Sequence, residues 1–507
     1  MFRKCYAKTF SVLFLCAFAA TCAAAPTNAI PTLAALRSNL TARVEHPRLA
    51  AAQLGVKIVS LDTGKTLFEH HAGKLLKPAS NAKLYTGALA LDRLGPAFRI
   101  RTSCYAAAKP DAAGTLAGDL TVYGRGDFSM AARFHGGDYT KALEPLVNAL
   151  VAAGVKRVSG DLVGDESFFR GPPYGSAWTW DDLNYYYGAE VSALTHEDNV
   201  VDLAFKPAPA LGQPVTLATK PATAFLQFIN RTTTVTNGGR RSLELHRPLA
   251  HSTVYVHGSL PLGDREWVDA MPVPRPALWF LVQLRAALAQ RGIVVSGQLR
   301  TRDWLSAEAA PVDYAKQVEL AFTESRPMSE LVEKMMKPSQ NLYAQLLLLQ
   351  VGVRAQRPGQ TTEDAGLAEL QKFLAEAGVK RGAVLLEEGS GLSRGCLLMP
   401  EATVQLLRHM DKHPAAEAFR ASLPVAGVDG TLKTRFAGTA AARNVLAKTG
   451  SLRYVSSLSG QVTTAAKERL AFSFMLNAYA GTAVSGREVI DELAVLLANF
   501  SGKSDGP

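Results

Sequence analysis

Apolar and polar residues alternate over Leu54–Leu61, with Val56, Ile58 and Val59 as apolar positions, and this pattern predicts a β-strand. Asp62-Thr63-Gly64 reads as a turn, and Lys65–Glu69 as the returning partner strand. Beyond the loop through Lys77-Pro78 the period changes. Leu84, Ala88 and Leu91 recur at helical spacing in a segment that opens near Ser80 and ends at Leu94-Gly95. The far end of the chain returns to strands: Asn444–Ser451, Tyr454–Val462 and Leu470–Asn477, the last two joined by the polar turn Thr463–Glu468. Glu488–Phe500 reads as a closing helix. Two strands from the start and three from the end predict one antiparallel sheet flanked by helices, an α+β fold.

Between Arg101 and Val318 the texture differs. Glycine and proline punctuate short segments, as in Gly124-Arg125-Gly126-Asp127, Gly171-Pro172-Pro173 and the hairpin signal Asn237-Gly238. This predicts a large β-rich insert, with room for two nested subdomains, that interrupts the first domain. No internal repeat is apparent. A chain of 507 residues exceeds the usual single domain, and the expected division is 1–25, 26–100, 101–318 and 319–507.

The first of these pieces has its own logic. Arg3, Lys4 and Lys8 form a basic head, Phe10–Ala20 an apolar core, and Ala23-Ala24-Ala25 a small-residue stretch before Pro26. That is the layout of a cleaved secretory signal, and its apolar run is too short to span a bilayer. No other segment is apolar enough for stable membrane insertion. Cleavage removes Cys5, Cys16 and Cys22, leaving Cys104 and Cys396 far apart, and no disulfide is expected. It also lowers the net charge from +11 to +8, a surface suited to an anionic polymer. No run of Lys and Arg is interleaved with aromatics, so nucleic acid is not an expected partner. With 48% hydrophobic and 20% charged residues, the composition is that of an ordinary globular protein.

Three short motifs carry the chemistry. Ser80-Asn81-Ala82-Lys83 is a Ser-x-x-Lys at the start of a helix. Positions three apart share a helical face, so Lys83 can reach the Ser80 hydroxyl, a weak nucleophile that needs an adjacent base. Ser339-Gln340-Asn341 follows Lys337-Pro338 and precedes the apolar helical run Leu342–Leu349, where its bland reading is a helix cap. Lys448-Thr449-Gly450 closes a candidate strand and is followed by Ser451. Each motif occurs once, in this order, and the trio resembles the signature of the penicillin-recognising serine peptidases and β-lactamases.

The surrounding segments resemble one family, the D-alanyl-D-alanine carboxypeptidase/endopeptidases, or class C low-molecular-mass penicillin-binding proteins. Lys77-Pro78-Ala79-Ser80, Asn341–Leu347, Gly389-Ser390-Gly391-Leu392-Ser393-Arg394, Ser422–Leu432 and Lys448-Thr449-Gly450 carry the likeness. It implies a β-lactamase/transpeptidase-like fold, and the 259 positions from Ser80 to Ser339 leave room for the family's inserted domains. Gly118-Asp119-Leu120 and Gly160-Asp161-Leu162 resemble strand signals of that insert. Gln340 and Glu388 stand where the family commonly has Asp.

The resemblance implies a serine DD-peptidase acting on peptidoglycan stem peptides and acylated by β-lactam antibiotics, in a bacterial periplasm. Ser80 is the expected nucleophile and Lys83 its base, made neutral by burial and by the second cation Lys448. Ser339 is the expected proton relay, and Asn341 holds the substrate amide. Lys448, Thr449 and Gly450 receive the terminal carboxylate, and the Ser80 and Ser451 amides form the oxyanion hole. Asp165 and Phe169 fall on an Asp-x-x-x-Phe pattern expected to touch the stem peptide. No cofactor or metal is expected, since the histidines lack metal-site spacing. The alternatives are a β-lactamase or esterase with the same motifs, and a catalytically idle wall-binding protein. A carbohydrate-cleaving enzyme using Glu387 and Glu388 is a poorer fit, because neighbours on a strand point to opposite faces.

Overall fold

The computed structural model describes residues 29–481 and 483–506; the expected signal at 1–25 lies outside the described residues. Strands β1 (Gln53–Ser60), β2 (Thr66–His70), β3 (Leu446–Leu452), β4 (Val455–Thr463) and β5 (Arg469–Asn477) form one sheet, in the order β3-β4-β5-β1-β2. Every pairing is antiparallel. Four helices matter most for its two faces: α1 (Leu33–Val44), α2 (Ala82–Leu94), α3 (Asn341–Ala355) and α4 (Ala483–Ala498).

The central strand β5 shows why both faces are covered. Leu470, Phe472, Phe474 and Leu476 enter one core with residues of α1 and α4. Ala471 and Met475 enter the other, with residues of α2 and α3. Successive side chains point to opposite faces, so a strand that is apolar throughout needs a helical layer on each side. The sequence reading does not include α1. Its signal was present: Thr32 accepts a hydrogen bond from the Ala35 amide at 3.1 Å as the cap, and Leu36, Leu40 and Val44 recur every fourth residue on the buried face.

The insert holds two further cores. In the first, Arg101–Ala106 pairs antiparallel with Val318–Glu324, so the chain leaves the insert after Glu324 and not at 318. The sheet continues through Leu120–Tyr123 and Leu162–Asp165 to Leu299–Arg302, with Leu146, Leu150, Phe280 and Leu284 of two helices packed in the same core. A repeat does exist here. Thr115-Leu116-Ala117-Gly118-Asp119-Leu120, Arg157–Leu162 and Val294–Leu299 pair in parallel register, Leu120 and Leu299 both opposite Leu162.

The second core lies between two three-stranded sheets. Asn237-Gly238 makes a turn, with the Gly239 amide donating to the Thr236 carbonyl at 2.9 Å, but not the expected hairpin. Thr253–Pro261 pairs with both flanking strands and separates them. Val254, Val256 and Leu260 make it the strand with most to bury, and it takes the central place. Cys104 and Cys396 are free, buried in different cores.

Phe472 is fully buried and stacks on Phe474 with ring centroids 4.7 Å apart. Phe472→Ala is expected to destabilise the sheet by about 3–5 kcal/mol. A lowered unfolding midpoint in denaturant, at an unchanged slope, is the measurement that checks it.

Candidate active site

The Ser80 turn is clamped to the edge of the sheet. Ser80 lies in a single 3-10 turn, Ala79–Asn81, that runs into α2. Asn81 Nδ2 donates to the Lys448 carbonyl at 3.0 Å, and Ser457 Oγ donates to the Pro78 carbonyl at 2.6 Å. Ala79 is held at φ +48°, a conformation that side-chain-bearing residues adopt only where the surroundings enforce it. Gly450 permits the approach: a Cβ there would sit 2.4 Å from the Pro78 carbonyl oxygen and 2.2 Å from Ser457 Oγ.

Lys83 occupies the first turn of α2 and is fully buried. Its Nζ lies 2.9 Å from Ser80 Oγ, 2.6 Å from Asn341 Oδ1 and 2.9 Å from the Ser390 carbonyl. Asn341 and Ser390 offer only acceptors. A neutral Lys83 gives them its two hydrogens and turns its lone pair to the Ser80 hydroxyl, the alignment a general base needs.

Ser339 stands at φ +65° between the helix Met328–Met336 and α3. That twist presents its hydroxyl to Lys448, whose Nζ donates to Ser339 Oγ at 2.8 Å and to the Thr449 carbonyl at 2.9 Å. Gln340 caps α3, its Oε1 accepting from the Leu342 amide at 3.3 Å. Thr449 Oγ1 donates to Thr431 Oγ1 at 2.8 Å. On β3, the Ala447 amide points away from β4, to the Pro424 carbonyl at 3.0 Å. By the two-residue period of a strand, the Thr449 and Ser451 amides face the same way, into the cleft.

Burial dominates the electrostatics. It pushes Lys83 down to about 7, against the opposing pull of Glu388 and Cys396. It also drives Lys448 well below the ordinary lysine range, helped by the charge of Lys83. Of the two causes expected to depress Lys83, burial is the dominant one, and the repulsion between the two lysines acts on Lys448.

Sequence reasoning gave Glu388 no role. The side chain is fully buried, and its carboxylate accepts from the Ser390 and Gly391 amides at 2.8 and 2.6 Å and from Ser390 Oγ at 2.6 Å. It therefore fixes the Ser390 carbonyl that orients Lys83. Gly391, at φ +80°, brings this loop against the Ser80 turn; a Cβ there would lie 2.0 Å from the Ala79 carbonyl oxygen.

The three motifs meet in a cleft of about 420 Å³, also lined by Asp182, Tyr186, Tyr187, Arg394, Thr431 and Arg453. Asn341 Nδ2 donates to the Tyr187 carbonyl at 3.0 Å, which ties the insert to the site. The spacing of Asp182 and Tyr187 gave no signal, because only the fold brings the insert to the cleft. Asp165 and Phe169 are a correction. Asp165 is fully buried, accepting from Tyr314 Oη at 2.5 Å and pairing with Arg302 at 3.0 Å. Phe169 packs into the core shared with α2 and α3, and neither residue lines the cleft.

A nucleophilic serine beside a buried lysine, on this sheet, defines a serine hydrolase of the β-lactamase/transpeptidase-like class. The solved penicillin binding protein 4 of Haemophilus influenzae shares the fold, with a TM-score of 0.75 and 24% identity over 91% of this chain and 98% of that one. The D-Ala-D-Ala carboxypeptidase 3 (S13) family model matches residues 36–500, and the chain belongs to that family. A D-alanyl-D-alanine carboxypeptidase of an Actinomadura species is 34% identical over 481 residues, covering 93% of this chain and 86% of that protein. The carboxypeptidase DacB of Haemophilus influenzae is 26% identical over 456 residues, covering 89% and 90%. The protein is thus a serine-type D-Ala-D-Ala peptidase.

Glu388→Gln removes the charge that opposes loss of the Lys83 proton. Since neutral Lys83 is the form able to act as base, acylation should fall as pH drops through about 7 in the wild type. The Gln variant should move that acid limb to lower pH, whereas Glu388→Asp, which keeps the charge, should leave the limb in place. Rates of acylation by a penicillin across pH check both.

Proposed function

We propose that the protein hydrolyses D-alanyl bonds in peptidoglycan stem peptides through an acyl-enzyme on Ser80. The observation that carries this is the pairing of Ser80 with Lys83 at 2.9 Å while Ser339 and Lys448 meet at 2.8 Å across the same cleft. Lys83 takes the Ser80 proton as Oγ bonds to the carbonyl carbon of the penultimate D-alanine. The developing oxyanion is met by the Ser80 and Ser451 amides, where losing one donor costs about 3 kcal/mol. Because Ser339 Oγ already accepts from Lys448, its own hydrogen is free to go to the leaving amine as the C–N bond breaks, and the proton that Lys83 took from Ser80 is passed on to Ser339, which leaves Lys83 neutral again. Lys448 and Thr449 receive the terminal carboxylate, and Asn341 orients the peptide. Water then releases the acyl group.

Penicillin enters by the same route and stays. Among the described residues lining the cleft, Asp182 is the one carboxylate. Its Oδ2 accepts from the Thr179 amide and hydroxyl at 3.0 and 2.7 Å, so it is poorly placed to activate a deacylating water. A deacylation barrier raised by about 4 kcal/mol slows release about a thousandfold. We also propose export to the periplasm with cleavage before Pro26, which rests on the layout of 1–25.

Incubation with cross-linked and uncross-linked muropeptides, followed by mass analysis, should yield products shortened at D-alanyl bonds. Ser80→Ala should abolish this turnover while keeping the wild-type unfolding midpoint; turnover near the wild-type rate would reject the assignment.

Brief exposure to penicillin should add one drug mass to the peptide carrying Ser80. Consumption of the drug over many turnovers with no adduct would instead identify a β-lactamase.

A further inference from the structure

Exposed aromatic rings lie on the two segments that flank the cleft, next to its lining residues Asp182, Tyr186, Tyr187 and Arg453. Trp180 is 70% exposed, Tyr185 53%, Tyr186 52% and Tyr454 50%. Among the described residues only Tyr255 and Phe322 are otherwise counted with them as exposed aromatics, and the Arg101 guanidinium covers Phe322 at 3.5 Å. Four of these six exposed rings thus lie on the segments 180–186 and 453–454 that flank the cleft, and exposed apolar surface gathered in this way marks a binding face.

The rings are built into the site. Tyr185 stacks on Tyr187 with centroids 5.3 Å apart and planes 8° from parallel. The Tyr187 carbonyl holds the Asn341 amide at 3.0 Å, and Tyr186 is a wall of the cleft. Across the cleft Arg453 lies 5.3 Å from the Tyr454 ring. Charged groups are interleaved with the rings. Asp181 is exposed, its carboxyl held below the usual range first by the Thr179 hydroxyl, and Arg394 and Arg453 line the opening.

We propose that this rim binds the saccharide chain of peptidoglycan, with Trp180 and Tyr185 as its stacking platform. The proposal rests on the stem-peptide reading above. A stem peptide held in the cleft is covalently attached to a polymer of amino sugars, so its entry brings pyranose rings to the rim. A pyranose presents a face of C–H bonds to an aromatic ring and hydroxyls at its edge, and the alternation of rings with Asp181, Arg394 and Arg453 matches both. An apolar helix or sheet edge from a protein partner would leave those charges buried without partners.

The test compares two substrates with the same stem pentapeptide, one free and one carried on an N-acetylglucosamine–N-acetylmuramic acid disaccharide. Trp180→Ala should lower kcat/KM for the disaccharide substrate by about three- to tenfold, the range of one aromatic contact. Turnover of the free peptide should stay within about twofold, and Trp180→Phe should restore most of the loss. Binding of peptide-free glycan oligosaccharide, followed by tryptophan fluorescence, should weaken in Trp180→Ala. Equal losses on both substrates, no loss on either, or unchanged oligosaccharide binding would overturn the proposal. Wild-type protein that cleaves neither substrate would instead reject the peptidase reading, while oligosaccharide binding would still report on the rim.

Discussion

Two ammonium side chains, Lys83 and Lys448, lie fully buried in the seam between the sheet edge and the helical layer. Removing a charge from water is costly unless its hydrogen-bonding groups are met. Neither Nζ has a carboxylate within salt-bridge distance among the described residues; both are met by hydroxyl, amide and carbonyl oxygens. Such acceptors serve a neutral amine as well as a cation. The seam is therefore tuned to lower proton affinity, and the surrounding structure holds those few oxygens in place.

That requirement accounts for features that otherwise look unrelated. Gly450 lets the Ser80 turn lie against β3, and Gly391 lets the Ser390 loop lie against the same turn from the other side. Ser339 accepts left-handed backbone so that its hydroxyl reaches Lys448. Glu388 is spent on the amides of its own loop, close enough to temper the fall in Lys83 proton affinity without contacting the ammonium. The insert contributes through Tyr187, whose carbonyl fixes the second amide group of Asn341 and leaves Oδ1 for Lys83.

Much of this was legible in the sequence because it is local. Ser80 and Lys83 are one helical turn apart, the five strands of the main sheet are short alternating or apolar runs, and the three motifs are contiguous words. What escaped depends on pairing across long stretches of chain. Glu388 acts through a loop that meets Lys83 only in the fold, and Tyr187 approaches Asn341 from the insert. Asp165 was misread for the same reason: its pattern is local, but its partners Arg302 and Tyr314 lie far along the chain. Asn237-Gly238 shows that a turn signal fixes a turn and not the pairing, which went to the more apolar Thr253–Pro261. The threefold repeat was hidden because Gln298 breaks the Gly-Asp-Leu word that its partners share.

The electrostatic coupling between the lysines gives the proposed mechanism its order of events. Charge on Lys83 disfavours charge on Lys448, and such a coupling acts equally in both directions. In the empty cleft burial works against both cations. A terminal carboxylate arriving beside Lys448 supplies the anion that the seam lacks and favours the protonated form there. Charging Lys448 acts against a proton on Lys83 while the carboxylate's own charge acts for it, so burial remains what holds Lys83 down to about 7, ready to take the Ser80 proton. Under the proposed mechanism the substrate's anionic end is thus received without adding net charge to the seam, and the base is prepared by burial before the substrate arrives.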